Sequence, residues 1–420
     1  MQRFQGLAGI VLILGIAFLF SNNKSKINLR LVLSGLLLQT IIAILVFKVG
    51  FISRFFQFLG HGMGKIEFFA FKGASFVYDG IAVQKTNGTI ANYSSGGFVF
   101  AFNVTATIIL VCALVAVFYY YGIMQRIVSA IARGMNFIMR VSGAEALSNV
   151  ASAFVGQVEA QVLIQPYLPG MTKSELLASM SGSLACISGG ILVVYANMGA
   201  QAGIDLAPKL ITASLMAAPG ALVISKIVWP ENEESQTLGQ VKLKVKSHYT
   251  NVIDAVSQGA GEGFKIAMNV IAMLIGFIAV IALLDFILIH IGHLFNPGFD
   301  LSLNWIFGKI FYPFAWAMGV PSADVNNAAT LLGQKLSINE FVAFKNLTGR
   351  VVPLVSEKGL LIISIAICGF ANFSSVGMQI GGIGALAPER RADLARLGLK
   401  ALLCGTLASY LSATIAGILL

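Results

Sequence analysis

Two short polar stretches in a mostly apolar chain each contain an amide and a carboxylate. Gln157 and Glu159 lie in the first, and Gln334 and Glu340 lie in the second. Ionisable groups at membrane depth are costly, and they usually mark a functional site. We therefore predict that both stretches contribute side chains to one site, and that the rest of the chain positions them.

A glycine lies beside each polar stretch and predicts a point at which a helix breaks. Val155-Gly156-Gln157 matches Leu332-Gly333-Gln334 at a spacing of 177 residues. A broken helix exposes backbone polar groups, which are tolerated at membrane depth only where they line a cavity. The pattern predicts two re-entrant helical hairpins that enter from opposite faces, as in transporters built from inverted repeats.

The composition is that of an integral membrane protein. The 420-residue chain is 57% hydrophobic and 11% charged, where a soluble domain has about 25% charged residues. The net charge of +10 lies in short basic loops that set orientation, so it does not indicate a nucleic-acid partner. The four cysteines fall in apolar runs without CxxC spacing, which argues against a disulfide framework or a zinc site.

The apolar runs, their polar interruptions and the charges of the loops together predict an all-α membrane protein with eight transmembrane helices and two opposed re-entrant hairpins. The predicted spans are Leu7–Phe20, Leu31–Phe47, Phe98–Tyr120, Leu176–Asn197, Leu210–Val228, Ile266–Ile291, Leu360–Gln379 and Ala401–Leu420. Between them we predict an interfacial segment at Ile52–Tyr78, an external loop at Thr86–Ser95, a basic amphipathic helix at Met124–Arg140, hairpins at Glu145–Tyr167 and Pro321–Leu347, and an outer interfacial segment at Phe295–Val320.

These elements predict four units along the chain. Residues 1–123 form a scaffold of spans one to three, and 124–230 hold the amphipathic helix, hairpin 1 and spans four and five. Residues 231–320 contain a cytoplasmic loop, span six and the outer segment, and 321–420 contain hairpin 2 with spans seven and eight. Basic loops after spans one, three, five and seven predict that both termini are periplasmic, and we expect a bacterial inner membrane.

Several motifs make the chain resemble the concentrative nucleoside transporters. They are Gly156-Gln157-Val158-Glu159-Ala160, Asn339-Glu340-Phe341-Val342-Ala343, the run Cys368–Ser375 and Ala387-Pro388-Glu389-Arg390-Arg391. The resemblance implies a homotrimer in membrane lipid that imports nucleosides with a cation, by moving a transport domain past a fixed scaffold. It implies neither an enzyme nor an organic cofactor, and the sequence contains no HExxH or GxSxG motif.

The resemblance also assigns site residues. Those implied to meet the nucleobase are Gln157, Val158, Glu159 and Ile191, and those implied to meet the ribose are Glu340, Asn372, Ser375 and Phe370. The chemistry is consistent, because a carboxylate accepts hydrogen bonds from sugar hydroxyls and an amide both donates and accepts.

The cation site implied by the resemblance lies between the tip of hairpin 1 and span four. Its matching residues are Ser152, Val155, Cys186 and Ile187. Sodium prefers oxygen ligands, whereas a thiol is soft, so Cys186 favours H⁺ over Na⁺ as the coupling cation. A proton needs only a titratable group, and Glu159 or Glu340 supplies one. Sodium coupling stays open.

The same residues could instead serve the structure alone. Glu159 and Glu340 could pair with a buried base such as Lys335 or Lys345, and Asn372 and Ser375 could only join helices. The alternative functions are a passive pore and a transporter of the same fold for another ribosylated or nucleobase-like metabolite. Uptake against a gradient separates a transporter from a pore.

Overall fold

The computed structural model describes residues 2–51, 83–86, 89–92, 100–236, 249–296, 298–299 and 301–419, and scattered positions between 54 and 77. Most of the predicted interfacial segment Ile52–Tyr78 therefore lies outside the described residues. Where the sequence predicted a loop at Thr86–Ser95, two short strands, β1 (Val83–Thr86) and β2 (Thr89–Asn92), pair antiparallel.

The remaining described elements are helical. They are α1 (Gln2–Leu19), α2 (Leu29–Lys48), α3 (Phe100–Tyr120), α4 (Ile123–Met139), α5 (Gly143–Ser152), α6 (Glu159–Val162), α7 (Lys173–Ala185), α8 (Gly189–Gln201), α9 (Ala207–Val228), α10 (Val252–Phe295), α11 (Leu303–Ile310), α12 (Tyr312–Ala317), α13 (Val325–Ser337), α14 (Glu340–Thr348), α15 (Glu357–Ile367), α16 (Phe373–Leu386) and α17 (Arg391–Leu419), with 3₁₀ turns at Lys24–Lys26, Gln165–Gly170 and Pro388–Arg390.

The helices account for the eight predicted spans. Within the described residues, five helical segments are long and apolar enough to cross a membrane, or six if a bent pair counts as one span. The bent pair is α3 with α4, which turn by 78°, so the predicted amphipathic helix runs across the end of span three. The shorter α1 and the broken pair α15–α16 complete the eight.

Spans four and seven are broken, although the sequence predicted each as continuous. The first breaks between α7 and α8 and the second between α15 and α16, and the two breaks meet where Phe370 N–H donates to the carbonyl of Cys186 at 3.2 Å. Gly369 has φ +152°, and a Cβ there would overlap the backbone of Ala185. The hydropathy window missed both breaks because most of their residues, such as Ile187 and Phe370, are apolar.

The hairpins form, but the predicted break at Gly333 is wrong. Gly156 does lie in the tip between α5 and α6, with φ +142°, whereas Gly333 lies inside α13. A Cβ at Gly333 would overlap the side chain of Phe307, so this glycine permits close helix packing instead. The positions that correspond in the structure are Glu159 and Glu340, each the first residue of its hairpin's second helix.

Two long helices, α9 and α10, pack extensively against other helices. The helix α9 packs against α2, α7 and α17, and almost all of its residues are buried. The 44-residue α10 packs along α3 and extends well before the predicted span Ile266–Ile291. Asp285 of α10 accepts a hydrogen bond from Leu303 N–H at 2.7 Å, and this contact fixes the start of α11.

Candidate functional site

The carboxylate of Glu340 is held by two donors at the tip of hairpin 2. Tyr195 O–H on α8 donates to one of its oxygens at 3.1 Å, and the Asn372 amide donates to the other at 2.9 Å. The Glu340 side chain is 6% exposed. Each carboxylate oxygen has a second lone pair, so the group retains acceptor capacity for a ligand.

The other predicted ribose residues surround the start of α16. Asn372 is the N-cap of this helix, and its Oδ1 accepts from Ser375 N–H at 2.8 Å. This bond fixes the amide with its nitrogen toward Glu340. Ser375 is buried and Phe370 is half-buried. The structure therefore brings Glu340, Asn372 and Ser375 together, with Phe370 two residues before the cap.

Tyr195 is a site residue that the sequence reasoning missed. Its ring stacks on Phe344 with centroids 4.5 Å apart, and its hydroxyl reaches Glu340. A buried tyrosine usually finds a partner for its hydroxyl. A tyrosine in the middle of an apolar span was the available signal, and it lies one turn beyond Ile191, which was predicted.

The tip of hairpin 1 contacts α16 at Met378 and Gly382, farther along this helix than Asn372. The Gln157 amide nitrogen lies 3.8 Å from the sulfur of Met378, and Val158 packs so closely against Gly382 that a Cβ on this glycine would overlap it. The Gln157 amide oxygen is buried and has no hydrogen-bond partner among the described residues. It is therefore free to accept from a ligand.

A cavity of about 170 Å³ lies beside this tip. It is lined by residues of α3, α8, α10 and hairpin 1, including Glu159 and Ile191. The Glu159 side chain is exposed and lines this cavity. Glu340 is not one of the lining residues.

Two helices nevertheless connect the hairpin tips. On α8, Ile191 lines the cavity with Glu159, and Tyr195, one turn along the same face, binds Glu340. On α16, Asn372 binds Glu340 and Met378 contacts Gln157. Six helical residues span about 9 Å. The amide of hairpin 1 and the carboxylate of hairpin 2 thus lie about two turns apart along one helix.

The predicted cation residues lie together behind the tip of hairpin 1. The Ser152 hydroxyl donates to the carbonyl of Ser148 at 2.7 Å and pairs with the Ser183 hydroxyl at 2.8 Å. The Cys186 thiol lies 3.9 Å from the carbonyls of Asn149 and Ser214.

The backbone carbonyls of Val155 and Ile187 accept no hydrogen bond from any part of the chain that the structure describes. These two oxygens are therefore open, whereas the hydroxyl of Ser152 is engaged.

Arg390 fixes the base of hairpin 1. One of its guanidinium nitrogens donates to the carbonyls of Leu168 and Pro169 at 3.1 and 2.9 Å, and to that of Met171 at 2.6 Å. Its Nε donates to Asp393 at 3.1 Å. The Pro-Glu-Arg segment noted in the sequence thus joins the exit of hairpin 1 to the start of α17.

Models of protein families match most of the chain. The C-terminal model of Na⁺-dependent nucleoside transporters matches residues 209–417, and the N-terminal model matches residues 8–81. Residues 101–202 match a model described as Gate, nucleoside recognition. The last match contains hairpin 1 and both halves of the broken span four.

Curated relatives align along the full chain. The nucleoside permease NupC of Helicobacter pylori is 36% identical, over 98% of this chain and 96% of that protein. An uncharacterized transporter of Haemophilus influenzae is 38% identical, over 100% of this chain and 98% of its own length. The mouse sodium/nucleoside cotransporter 1 is 35% identical, over 100% of this chain and 64% of that protein.

A solved transporter structure is also similar to this chain along its whole length. The transporter CNTnw in an inward-facing substrate-bound state is 38% identical, with a TM-score of 0.90 over 100% of this chain and 98% of that one. These relatives are transporters, which confirms the prediction that the chain is not an enzyme. The predicted α-helical membrane fold with two hairpins is confirmed as well, and the described residues add the short strand pair β1–β2 to it. The chain belongs to the concentrative nucleoside transporter family.

Proposed function

We propose that this protein imports nucleosides by cation symport, with the nucleoside held between the tips of the two hairpins. The observation that carries the proposal is the pair of bridging helices. Both α8 and α16 contact the acid-bearing tip of hairpin 2 at one position and the tip of hairpin 1, or the cavity beside it, at another. A solute that hydrogen-bonds to the tips of both hairpins would make the two hairpins move together.

Each hairpin would recognise one part of the solute. Glu340, Asn372 and Ser375 offer acceptors and a donor to sugar hydroxyls, and the half-buried Phe370 offers an apolar surface. Gln157 has an unpartnered amide oxygen, which would accept from a nucleobase, with Glu159, Val158 and Ile191 beside it. A site that buries such groups discriminates strongly against a ligand that lacks the matching group.

We propose the proton as the coupling cation. Sodium requires several oxygen ligands, but the Ser152 hydroxyl is already engaged with Ser148 and Ser183, and residue 186 supplies a thiol. Glu159, in contrast, faces a cavity with its carboxylate exposed, so it is accessible to protons. Two open carbonyls, of Val155 and Ile187, favour sodium as the alternative.

The assembly, orientation and movement are also proposals. We propose a homotrimer in a bacterial inner membrane with both termini periplasmic, in agreement with the basic loops. We further propose that the hairpins move with their neighbouring helices relative to α3 and α10, whose long mutual packing suits a fixed scaffold. Site-specific crosslinking of α10 between copies tests the assembly.

Labelled uridine uptake by proteoliposomes tests the function and the coupling ion in one experiment. An inward proton gradient should drive accumulation above equilibrium, and an uncoupler should abolish it. Replacement of sodium by choline should leave uptake unchanged, and a higher external pH should lower it. Loss of uptake in choline would overturn proton coupling and favour sodium.

A panel of competitors defines the substrate class. Unlabelled nucleosides should compete with uridine, whereas free nucleobases and ribose alone should not, because each meets only one hairpin. If no nucleoside competes and a free base does, the protein is a transporter of the same fold for another class of metabolite.

A further inference from the structure

Lys335 is a buried base that the proposed transport cycle does not yet use. It lies in the last turn of α13, its side chain is 0% exposed, and its ammonium has no hydrogen-bond partner among the described residues. An ionised group buried without a partner is costly. A buried polar group that stays unsatisfied therefore requires an explanation.

A second buried lysine in the same protein, Lys226, has an ammonium group whose ion pairs and hydrogen bonds are formed. Lys226 of α9 is 6% exposed, and its ammonium pairs with Glu145 at 2.8 Å and donates to Ser174 at 2.9 Å. It also pairs with Glu231 at 3.2 Å. Lys335 has an equally buried position but no such contacts, so a structural ion pair does not explain it.

Two ionisable groups lie close enough to the buried Lys335 to act on its charge, and one of them is the carboxylate of the proposed sugar site. They are Glu340, across the two-residue tip of hairpin 2, and the thiol of Cys368 at the break before α16. Glu340 in turn faces Tyr195 from α8 and Asn372 from the start of α16. Both of these neighbours donate, and an acceptor-only partner for two donors is the ionised carboxylate.

We propose that Lys335 is a positioning residue for substrate binding, whose ammonium keeps Glu340 ionised without bonding to it. This inference rests on the proposed role of Glu340 in binding the sugar. An ion pair in direct contact would occupy lone pairs that the sugar hydroxyls need. A cation one step removed still stabilises the carboxylate, because charges interact over longer distances where water is excluded.

The pH profile of binding tests this role. Lys335→Met removes the charge and keeps an apolar chain of similar length. Uridine affinity of the purified protein is measured between about pH 5 and about pH 9, as the ratio of variant to wild-type Kd. We expect the ratio to rise toward acid pH, by up to about tenfold per pH unit, because Glu340 then takes up a proton. Lys335→Arg should restore a flat ratio.

Two control variants separate this effect from general damage. Lys345→Met removes an exposed lysine from α14 and should give a flat ratio. Lys226→Met breaks the other buried site and should lower thermal stability while the ratio stays flat. A flat ratio for Lys335→Met, or an acid-side rise that Lys335→Arg shares, overturns the proposal.

A double-mutant cycle on thermal stability tests the interaction between Lys335 and Glu340 without any ligand. Melting temperatures are measured for Lys335→Met, Glu340→Gln and the double variant. The melting temperature of the double variant should fall by less than the sum of the two single decreases, because each single change leaves the other residue buried and uncompensated. Additive losses would overturn the pairing. A wild-type protein that binds no nucleoside would instead refute the proposed function.

Discussion

The two hairpins present their acids in different ways. In hairpin 2, a two-residue tip joins α13 and α14, and Glu340 is buried between the donors Tyr195 and Asn372. In hairpin 1, six residues separate α5 from α6, a helix of four residues, and Glu159 is exposed to a cavity. One acid is fixed by side chains from two other helices, whereas no side-chain donor to the other is found among the described residues.

This difference fits the parts of the proposed substrate. The sugar is nearly the same in every nucleoside, so a preset carboxylate in hairpin 2 costs little reorganisation when it binds. The base varies in size and in its donors and acceptors. A loosely built tip with an unpartnered amide, at Gln157, suits a variable partner. We therefore expect substitutions in hairpin 2 to affect all nucleosides, and those in hairpin 1 to depend on the base.

The largest effect should come from Glu340→Gln. The amide keeps the shape but replaces an acceptor by a donor that faces Tyr195 and Asn372, so kcat/KM for every ribonucleoside should fall by about 100-fold or more. Initial uptake rates for uridine and adenosine provide the measurement. Glu357→Gln, at an exposed position, is the matched control. Selective loss of one nucleoside would contradict the assignment of Glu340 to the sugar.

The next largest effect should be a loss of folding stability when Gly156 or Gly333 is replaced by alanine. Gly156→Ala places a side chain at φ +142° and should cost about 1–3 kcal/mol. Gly333→Ala instead creates an overlap with Phe307. The change Phe307→Leu should therefore rescue Gly333→Ala, and it should not rescue Gly156→Ala. Thermal unfolding in detergent measures the stability of all these variants. If Phe307→Leu rescued Gly156→Ala as well as Gly333→Ala, the two glycines would not differ in the way described.

These glycines also show how far the sequence could predict the structure. Hydropathy located the eight spans, and the motifs located both hairpins, since these signals are local. The predicted alignment of the two repeats was wrong because Gly333-Gln334 has the same residue types as Gly156-Gln157 but a different backbone conformation. Only the packing of α13 on α11 shows that Gly333 serves a helix contact.

The site was predicted in parts for a similar reason. Asn372 and Glu340 were assigned to one end of the site, and the structure places them in contact. Tyr195 was missed because its role depends on α8 crossing hairpin 2, 145 residues later in the chain. The breaks at Cys186 and Cys368 were missed because apolar residues in a break and in a helix have the same hydropathy.

Tyr195→Phe should give an intermediate effect. It removes one donor from Glu340 but keeps the stack on Phe344, so kcat/KM should fall roughly tenfold for purine and pyrimidine nucleosides alike. Uptake of both classes measures this. Tyr167→Phe, at the base of hairpin 1, is a control away from the site. A change in the purine-to-pyrimidine ratio would place Tyr195 at the base instead.

The smallest effect should come from a pair of glutamines that the sequence matched to each other. Gln157 has a free amide oxygen beside the proposed base position, whereas Gln334 is fully used, because it donates to Asn304 at 2.8 Å and accepts from Asn346 at 2.9 Å. Gln157→Ala should change the uridine-to-adenosine ratio by about threefold to tenfold, a difference of about 1 kcal/mol.

Gln334→Ala should lower the melting temperature and leave that ratio unchanged, because its partners join α11, α13 and α14 and do not face a ligand. Competition curves for the two nucleosides measure the first variant, and thermal unfolding measures the second. If Gln334→Ala changed selectivity and Gln157→Ala did not, the hairpin assigned to the base would be the wrong one. Equal shifts in both would show that the two tips do not divide the nucleoside between them.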